Sequence, residues 1–272
     1  MEGNNKSFED AGFLVEKDMV PKRAAAAARD LLDELREYSY LNLVDPFSEW
    51  SISHRGDQGV FFDVYQRHPI FRELVTEKLL DSVEAILGKN FFIYDNSVVF
   101  KPKESANEVP WHQDFLSREN EPDKLVVWIP LGPVNRKNGT LKFIEGTHKL
   151  GRQDWHDIKG ETHHERIKPE AINELLQNYE VSYAEMEAGD VLLFHNLVVH
   201  GSDRVNQTDN RYVFRVSFQS MDERIYTPRQ SPIVMRGGNP EFLRTKYPMP
   251  KPNEKGRIVK LINRLGQRLI RI

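Results

Sequence analysis

The residues with the clearest chemical potential lie in the stretch Trp111-His112-Gln113-Asp114. A His and an Asp two positions apart on an extended segment point their side chains to the same face. His112 and Asp114 would therefore present an imidazole nitrogen and a carboxylate oxygen side by side, as neighbouring ligands of one metal ion. The same pair is also typical of a surface turn or a helix N-cap, so distant partners must decide between these readings.

The best candidate for a further ligand is His200. It ends an apolar run that begins at Gly189-Asp190, and Gly201-Ser202 follows it. Two His and one carboxylate on one face of a metal, with the remaining positions open, are the signature of non-haem Fe(II) oxygenases. His148 and His195 are interpreted as structural or supporting residues around such a centre.

Composition narrows the chemistry and the number of domains. The 272 residues suffice for one large domain with a sizeable core, or at most two. The absence of cysteine excludes disulfides, Fe–S clusters, thiolate zinc sites and a Cys nucleophile. Metal chemistry must therefore use His, Asp and Glu.

The sequence shows no targeting or membrane-spanning signal. Residues 1–6 lead into acidic sequence without an apolar segment, so no signal peptide is expected. No uninterrupted apolar run approaches the roughly 18 residues that a transmembrane helix needs. A cytoplasmic protein is expected, and the acidic body does not indicate a nucleic-acid-binding domain.

The order of elements predicts a mainly β fold with flanking helices. Helical patterns come first, from Pro21 to about Tyr38 and from Pro69 to Leu87, where Gly88 ends the helix. Antiparallel strands after helices indicate a double-stranded β-helix (a jelly roll, cupin-like), whose open mouth can receive ligands from loops. Runs rich in β-branched and aromatic residues predict strands at 91–102, 124–131, 140–144, 181–187, 191–194 and 211–221.

Three other stretches receive expectations of their own. Residues 8–15 are predicted to form a short strand, and residues 39–66 an irregular aromatic segment that closes the core or lines a pocket. The segment 152–178 contains His156, His163 and His164. A solvated loop or substrate lid is favoured there over a second metal site.

These residues resemble the phytanoyl-CoA dioxygenase (PhyH-like) family of Fe(II)/2-oxoglutarate-dependent oxygenases. The resemblance covers roughly residues 8 to 221 and depends on four motifs in this order. They are 111–114, Trp128 with Asn138-Gly139 and 144–149, Gly189-Asp190 with 200–202, and Arg211, eleven residues after the distal His.

The resemblance assigns roles to individual residues. It implies that His112, Asp114 and His200 hold Fe(II), with 2-oxoglutarate and O2 in the open positions and ascorbate supporting the iron. Arg211 occupies the position that grips the C5 carboxylate of 2-oxoglutarate, because a guanidinium offers a planar two-point contact. Arg215 is the fallback, although an ordinary ion pair is the preferred interpretation. Trp128 matches a position that contacts the cosubstrate and could equally be a core indole.

The implied reaction is hydroxylation of an unactivated C–H bond with release of succinate and CO2. Family members that halogenate replace the carboxylate ligand with Gly or Ala, so Asp114 argues against halogenation. Desaturation, epoxidation and ring closure use the same ligands and stay open. The alternative is a non-catalytic metal-binding jelly roll that senses or scaffolds. A zinc hydrolase is disfavoured because this sequence contains no HxH or HExxH pair.

The C-terminal residues 255–272 are predicted to form a segment distinct from the oxygenase domain of residues 1–254. They carry six basic and no acidic residues. Because the whole chain has a net charge of −3, residues 1–254 carry a net charge of −9. Apolar and basic residues both recur at helical spacing, which fits a helix on an anionic membrane surface. Packing in a homo-oligomer interface or on the acidic body is the alternative. Membrane binding would favour a lipid-linked substrate, such as the 3-deoxy-octulosonic acid sugar of lipid A, over a soluble small molecule.

Overall fold

The computed structural model describes residues 8–42, 52–55, 58–101, 108–159, 165–204, 210–223 and 233–237. The chain divides into two compact units, residues 1–237 and 238–272, and every described residue belongs to the first. The predicted boundary between residues 254 and 255, and the tail itself, lie outside the described residues. No helix in the described part of the chain is long and apolar enough to cross a membrane.

The first helix, α1 (Lys22–Asn42), follows the predicted position closely. Ala24, Ala25 and Ala28 are fully or almost fully buried, so the alanine-rich stretch forms a closely packed helix face. This agrees with the tightly packed helix face that the sequence indicates. Three further helices follow before the main strands: α2 (Val64–Arg67), α3 (Pro69–Glu73) and α4 (Glu77–Leu87).

The prediction of one continuous helix from Pro69 to Leu87 is wrong, because the chain forms two helices that break at Leu74–Thr76. Thr76 caps the second of them: its Oγ1 accepts a hydrogen bond from the Leu79 N–H (3.1 Å) and donates one to the Met19 carbonyl (2.9 Å). The cap therefore fixes a new helix start and ties it to the N-terminal segment. Gly88 ends α4 at φ 82°, as predicted.

The larger of two main sheets contains eight antiparallel strands. Its order is β1-β11-β6-β13-β4-β3-β2, and β14 pairs with β4. These strands are β1 (Phe13–Glu16), β2 (Ile52–Arg55), β3 (Gln58–Phe62), β4 (Phe91–Lys101), β6 (Leu125–Pro130), β11 (Val191–His195), β13 (Arg211–Ser220) and β14 (Ile233–Arg236).

The smaller sheet has four antiparallel strands in the order β10-β7-β12-β5. They are β5 (Val109–His112), β7 (Lys142–Ile144), β10 (Val181–Tyr183) and β12 (Val199–Ser202). The segment predicted as a lid contains a hairpin of β8 (Trp155–Asp157) and β9 (Glu165–Ile167), followed by helix α5 (Pro169–Asn178). Ile172 and Leu175 of α5 pack with Ile144 and Val199 of the small sheet. Much of this segment therefore has regular structure, and its helix covers part of the small sheet.

The core has a layered arrangement that confirms the predicted mainly β jelly-roll class. One apolar cluster lies between helices and the outer face of the large sheet, and includes Leu32, Phe71 and Phe214. A second includes Trp128 of the large sheet and Phe143 of the small one, so it joins their facing surfaces. The two sheets thus leave a shared interior in which ligand-binding side chains can meet.

Two local predictions are wrong. Residues 8–11 form a helical turn, and the first strand begins only at Phe13. The turn is held by the hydrogen bond from the Gly12 N–H to the Phe8 carbonyl (2.8 Å). Residues 52–62 were expected to be irregular but supply the antiparallel pair β2–β3, which extends the large sheet beyond β4.

Candidate metal centre

His112, Asp114 and His200 lie together in the shared interior. Strands β5 and β12 pair in a register that places His112 directly opposite His200, and their ring centroids are 4.2 Å apart. Asp114 follows two residues after the end of β5. One ligand atom from each of the three side chains lies within 4.8 Å of the others. The sequence-predicted ligand set is therefore brought to one point.

Both imidazoles are oriented by the backbone. His112 Nδ1 lies 2.8 Å from the Pro110 carbonyl, and His200 Nδ1 lies 3.0 Å from the Val198 carbonyl. Because a carbonyl can only accept, each Nδ1 carries the proton and each Nε2 has a lone pair available for a metal. In metal-binding histidines, a hydrogen bond from the ring nitrogen that does not bind the metal fixes the tautomer and the ring direction.

The environment of the centre favours the metal-binding protonation states of Asp114 and His200. Burial alone would raise the pKa of the Asp114 carboxyl, but Arg215 and the two imidazoles outweigh it and lower the pKa to about 2. Burial, followed by repulsion from His112, lowers the pKa of His200 to about 3. At neutral pH the centre thus offers one carboxylate and a neutral imidazole, the ionisation states that coordinate divalent metals.

Aromatic side chains enclose the His200 ring. Phe194 lies 4.9 Å from it and Phe143 5.8 Å from it, measured between ring centroids. His200 is only 3% exposed as a result. This packing restricts the ring and excludes water from its sides.

Arg211 is a buried cation on the same interior face. Its side chain donates to the Gly139 carbonyl, and its guanidinium carbon lies 5.3 Å from the centre of the Trp128 ring. Burial lowers its pKa to about 10, and no carboxylate among the described residues offsets that effect. Its buried Nε has no hydrogen-bond partner in the described structure. Arg211 is thus a buried cation without a carboxylate partner among the described residues.

Lys101 is a site residue that the sequence analysis missed. It lies opposite Arg211 in the β4–β13 register, is 1% exposed, and its Nζ donates to Ser202 Oγ at 2.8 Å. The Ser202 hydroxyl accepts this bond and keeps its own proton for donation. A lysine at the end of a predicted strand usually reaches solvent, so only the strand pairing could have located this one.

Arg215 contacts the metal centre rather than the cosubstrate position. Its Nη2 lies 3.1 Å from Asp114 Oδ2 and its Nη1 lies 3.2 Å from Asp95 Oδ1. The preferred interpretation of an ion pair agrees with this geometry. One of its partners, however, is a candidate metal ligand, a consequence that sequence spacing did not predict.

No other histidine in the described part of the chain joins the three ligands. The rings of His148 and His195 lie 5.4 Å apart, and His195 Nε2 is 3.6 Å from Asp123 Oδ2. His156 lies on β8, while residues 163 and 164 lie outside the described part of the chain. Within the described residues, His112, Asp114 and His200 are the one group of three suited to a metal ion.

The chemistry of the donors fits Fe(II). Two imidazole nitrogens and one carboxylate are the facial set of non-haem iron proteins, and they leave coordination positions for other ligands. The nearby cationic group formed by Arg211 and Lys101 fits a ligand that carries a second carboxylate.

Comparison with known proteins agrees with this geometry. Residues 8–213 match the family model described as Phytanoyl-CoA dioxygenase (PhyH). The chain belongs to the PhyH family. It is thereby a member of an enzyme family of iron- and 2-oxoglutarate-dependent dioxygenases, as the sequence motifs predict.

Individual relatives have low sequence identity to this chain, but the matches extend over most of its length. The human peroxisomal phytanoyl-CoA dioxygenase is 28% identical over 239 residues, which cover 80% of this chain and 68% of the human protein. Ectoine dioxygenase from Halomonas elongata is 23% identical over 240 residues, covering 82% and 70%. The fold is similar to that of EctD from S. alaskensis with bound Fe, at a TM-score of 0.67 and 19% identity, over 84% of this chain and 79% of EctD.

Proposed function

We propose that this protein is an Fe(II)/2-oxoglutarate-dependent dioxygenase that hydroxylates an unactivated C–H bond of a small or lipid-linked molecule. The observation that carries the proposal is the location of a buried guanidinium, Arg211, beside a complete set of metal ligands. Burying a cation without a carboxylate partner is costly. In a protein that bound only a metal, no ligand would offset the free-energy cost of burying Arg211.

The three ligands would hold Fe(II) through Nε2 of His112, Nε2 of His200 and a carboxylate oxygen of Asp114. With the cosubstrate bound, the iron supplies the chemistry that converts 2-oxoglutarate and O2 to succinate and CO2 and a C–H bond to an alcohol. The chain's own task is to fix the ligands, to exclude water from the interior and to hold the substrate bond nearby.

The cationic group would bind the distal carboxylate of 2-oxoglutarate. Arg211 offers a planar pair of N–H groups, which match the two oxygens of a carboxylate. Ser202 offers a hydroxyl proton, and Lys101 adds a second positive charge held at 2.8 Å from that hydroxyl. Trp128 forms the wall beside Arg211 and would limit where the cosubstrate chain can lie.

The substrate class is supported by relatives only in broad terms. Ectoine dioxygenase and L-proline trans-4-hydroxylase are named for small polar molecules, so a small-molecule substrate is the first expectation for this chain. A lipid-linked substrate, such as a glycolipid carrying a 3-deoxy-octulosonic acid sugar, depends on the basic and apolar spacing of residues 255–272. It applies if that segment binds an anionic membrane.

The decisive test measures succinate formed from 2-oxoglutarate by the purified full chain with Fe(II), O2 and ascorbate, which keeps the iron reduced. Many such enzymes turn over slowly without their substrate, so a panel of small polar and lipid-linked candidates is added in parallel. We expect succinate that depends on iron and disappears in His112→Ala. The absence of succinate with every candidate, together with undetectable 2-oxoglutarate binding, would refute the proposal.

The competing function is a non-catalytic metal-binding sensor or scaffold. It predicts tight metal binding with no affinity for 2-oxoglutarate. The proposed oxygenase, in contrast, binds the metal through its three ligands and 2-oxoglutarate through Arg211. Calorimetric titration of 2-oxoglutarate into the metal-loaded protein under anaerobic conditions distinguishes the two, since it requires no turnover.

A further inference from the structure

Arg215 joins two carboxylates at the edge of the metal centre. One terminal nitrogen contacts Asp114 Oδ2 at 3.1 Å and the other contacts Asp95 Oδ1 at 3.2 Å. The Arg215 side chain is 17% exposed, and Asp114 18%, so the contact between them is largely shielded from water. Burial opposes the charge of Arg215, but attraction by Asp114 and Asp95 outweighs burial and raises the pKa of Arg215.

The contact uses one oxygen of the candidate ligand. A metal-bound carboxylate can coordinate through one oxygen or through both. Because the guanidinium takes one lone pair and part of the charge of Asp114 Oδ2, Oδ1 would be the stronger donor to a metal. Coordination through one oxygen leaves an additional position open for the cosubstrate or O2.

Other contacts of Arg215 fix its position. It lies on β13 opposite Trp128 of β6 and Ser97 of β4. Its guanidinium carbon is 5.3 Å from the centre of the Phe115 ring, and Phe115 directly follows the candidate ligand Asp114. Phe115 has φ 61°, a left-handed conformation that is uncommon for an aromatic residue. The Arg215 guanidinium therefore lies beside a side chain of the turn that follows Asp114.

The same turn is held independently from its other side. Arg152 donates to the carbonyls of Phe115 (2.9 Å), Leu116 (3.2 Å) and Arg118 (3.0 Å). None of these hydrogen bonds reaches the Asp114 carboxylate. Arg152 and Arg215 thus form a natural pair for comparison, one supporting only the loop backbone and the other also the ligand.

We propose that Arg215, aligned by Asp95, is a positioning residue that holds Asp114 so that it ligates the metal through a single oxygen. The inference rests on the proposed function for the identity of the metal. Removing Arg215 would free the carboxylate to rotate or to coordinate through both oxygens. Partners of ligand side chains typically contribute 10- to 100-fold to metal affinity.

The experiment titrates Co(II), whose visible absorption reports coordination geometry, into the full chain and into Arg215→Gln, Arg215→Lys, Asp95→Asn and Arg152→Gln. We expect Arg215→Gln to weaken Co(II) binding about 10- to 100-fold and to change the spectrum. Arg215→Lys should recover part of the affinity, because a lysine supplies a point charge that cannot contact both carboxylates. Asp95→Asn should produce a smaller change in the same direction, and it preserves the volume of the side chain if Arg215→Gln fails to fold.

Arg152→Gln is the matched control, and it should lower the thermal midpoint of unfolding without changing the Co(II) spectrum. If Arg215→Gln and Asp95→Asn behave like Arg152→Gln, or bind Co(II) as tightly as the unmodified chain, the inference is wrong. Failure of the proposed function looks different: the unmodified chain would bind Co(II) with the predicted variant effects but would neither bind nor consume 2-oxoglutarate. A chain that does not bind Co(II) at all would overturn both.

Discussion

His112 and His200 stand directly opposite each other across the antiparallel strands β5 and β12, and each Nδ1 is turned towards the backbone carbonyl two residues earlier in the chain. The metal centre is therefore built on strand register. A slip of one residue would turn one imidazole to the opposite face of the small sheet. Changes that disturb this pairing should affect metal binding even where they touch no ligand.

Replacing His200 with Ala should weaken Fe(II) or Co(II) binding by more than about 100-fold, since a ligand contributes more than the 10- to 100-fold typical of its supporting partners. Isothermal titration calorimetry measures the effect. His195→Gln is the matched control: His195 is a strand histidine too, but it is only partly buried and contacts Asp123 and His148. Equal loss of affinity in both variants would argue against the assignment of ligands.

Gly201→Ala should lower both stability and metal affinity. A Cβ atom at Gly201 would lie 2.7 Å from the Val109 carbonyl and 3.3 Å from the Pro110 carbonyl, which are backbone atoms of β5. Forced overpacking of this kind costs roughly 1–3 kcal/mol, and relief would come from separating β5 from β12. Thermal unfolding and Co(II) titration measure the two effects.

Gly132→Ala serves as the control for Gly201, because its added Cβ meets only the flexible end of Arg29 at 3.7 Å. We expect little change in its unfolding midpoint. A Gly201→Ala variant that matches it in stability and in metal affinity would show that the close strand approach does not matter.

Arg211→Met should separate cosubstrate binding from metal binding. Losing one hydrogen bond from a charged donor costs about 1.5–3 kcal/mol, so the Kd for 2-oxoglutarate should rise by at least roughly 10- to 150-fold. Metal affinity should stay within about threefold, because Arg211 does not contact the three ligands. Anaerobic titrations of each ligand give both constants.

Arg211→Met should also remove the stabilisation that 2-oxoglutarate gives to the folded protein. Burial lowers the pKa of Arg211 to about 10, so at neutral pH its charge opposes folding until an anion arrives. Addition of 2-oxoglutarate should raise the unfolding midpoint of the unmodified chain and leave that of Arg211→Met unchanged. A rise of equal size in both proteins would place the cosubstrate carboxylate elsewhere.

Removing residues 255–272 should abolish binding to anionic vesicles if this segment directs the protein to a membrane. Six basic residues lie within it, and each contributes about 1 kcal/mol near an anionic surface. Sedimentation with vesicles of phosphatidylglycerol and phosphatidylcholine, at low and moderate salt, compares the full chain with a truncation after Glu254. Loss of binding on truncation and weakening by salt are both expected. If neither protein binds the vesicles, soluble substrates and an oligomer interface for the segment are favoured.

Much of the fold and the outline of the site could be predicted from the sequence, because each depends on a local or repeated pattern. Pro21 and the alanine-rich stretch after it indicated α1. The period of apolar residues indicated the region of α3 and α4, and long β-branched runs indicated the central strands. The spacing of His112 and Asp114 placed both side chains on one face. His200 was predicted from its motif, and the structure brings it to the same point.

What escaped prediction depends on contacts between segments far apart in the chain. Lys101 is typical of a solvent-facing strand end, and its burial follows from lying opposite Arg211 on β13. The contact between Arg215 and Asp114 spans 101 positions. By contrast, the helix break at Thr76 had a local signal, since a Thr followed by an acidic residue is a good N-cap, but the continuing apolar period masked it.

The carbonyl contacts at Nδ1 of His112 and His200 have a consequence for how the protein acquires its metal. Because these carbonyls already orient both rings, the protein need not rearrange them when an ion arrives. Such a ready site discriminates poorly among first-row divalent ions, whose affinities follow the general order from Mn(II) up to Cu(II). Occupancy in a cell would then follow the supply of free ions, and protein isolated from different media should carry different metals in the same three-ligand site.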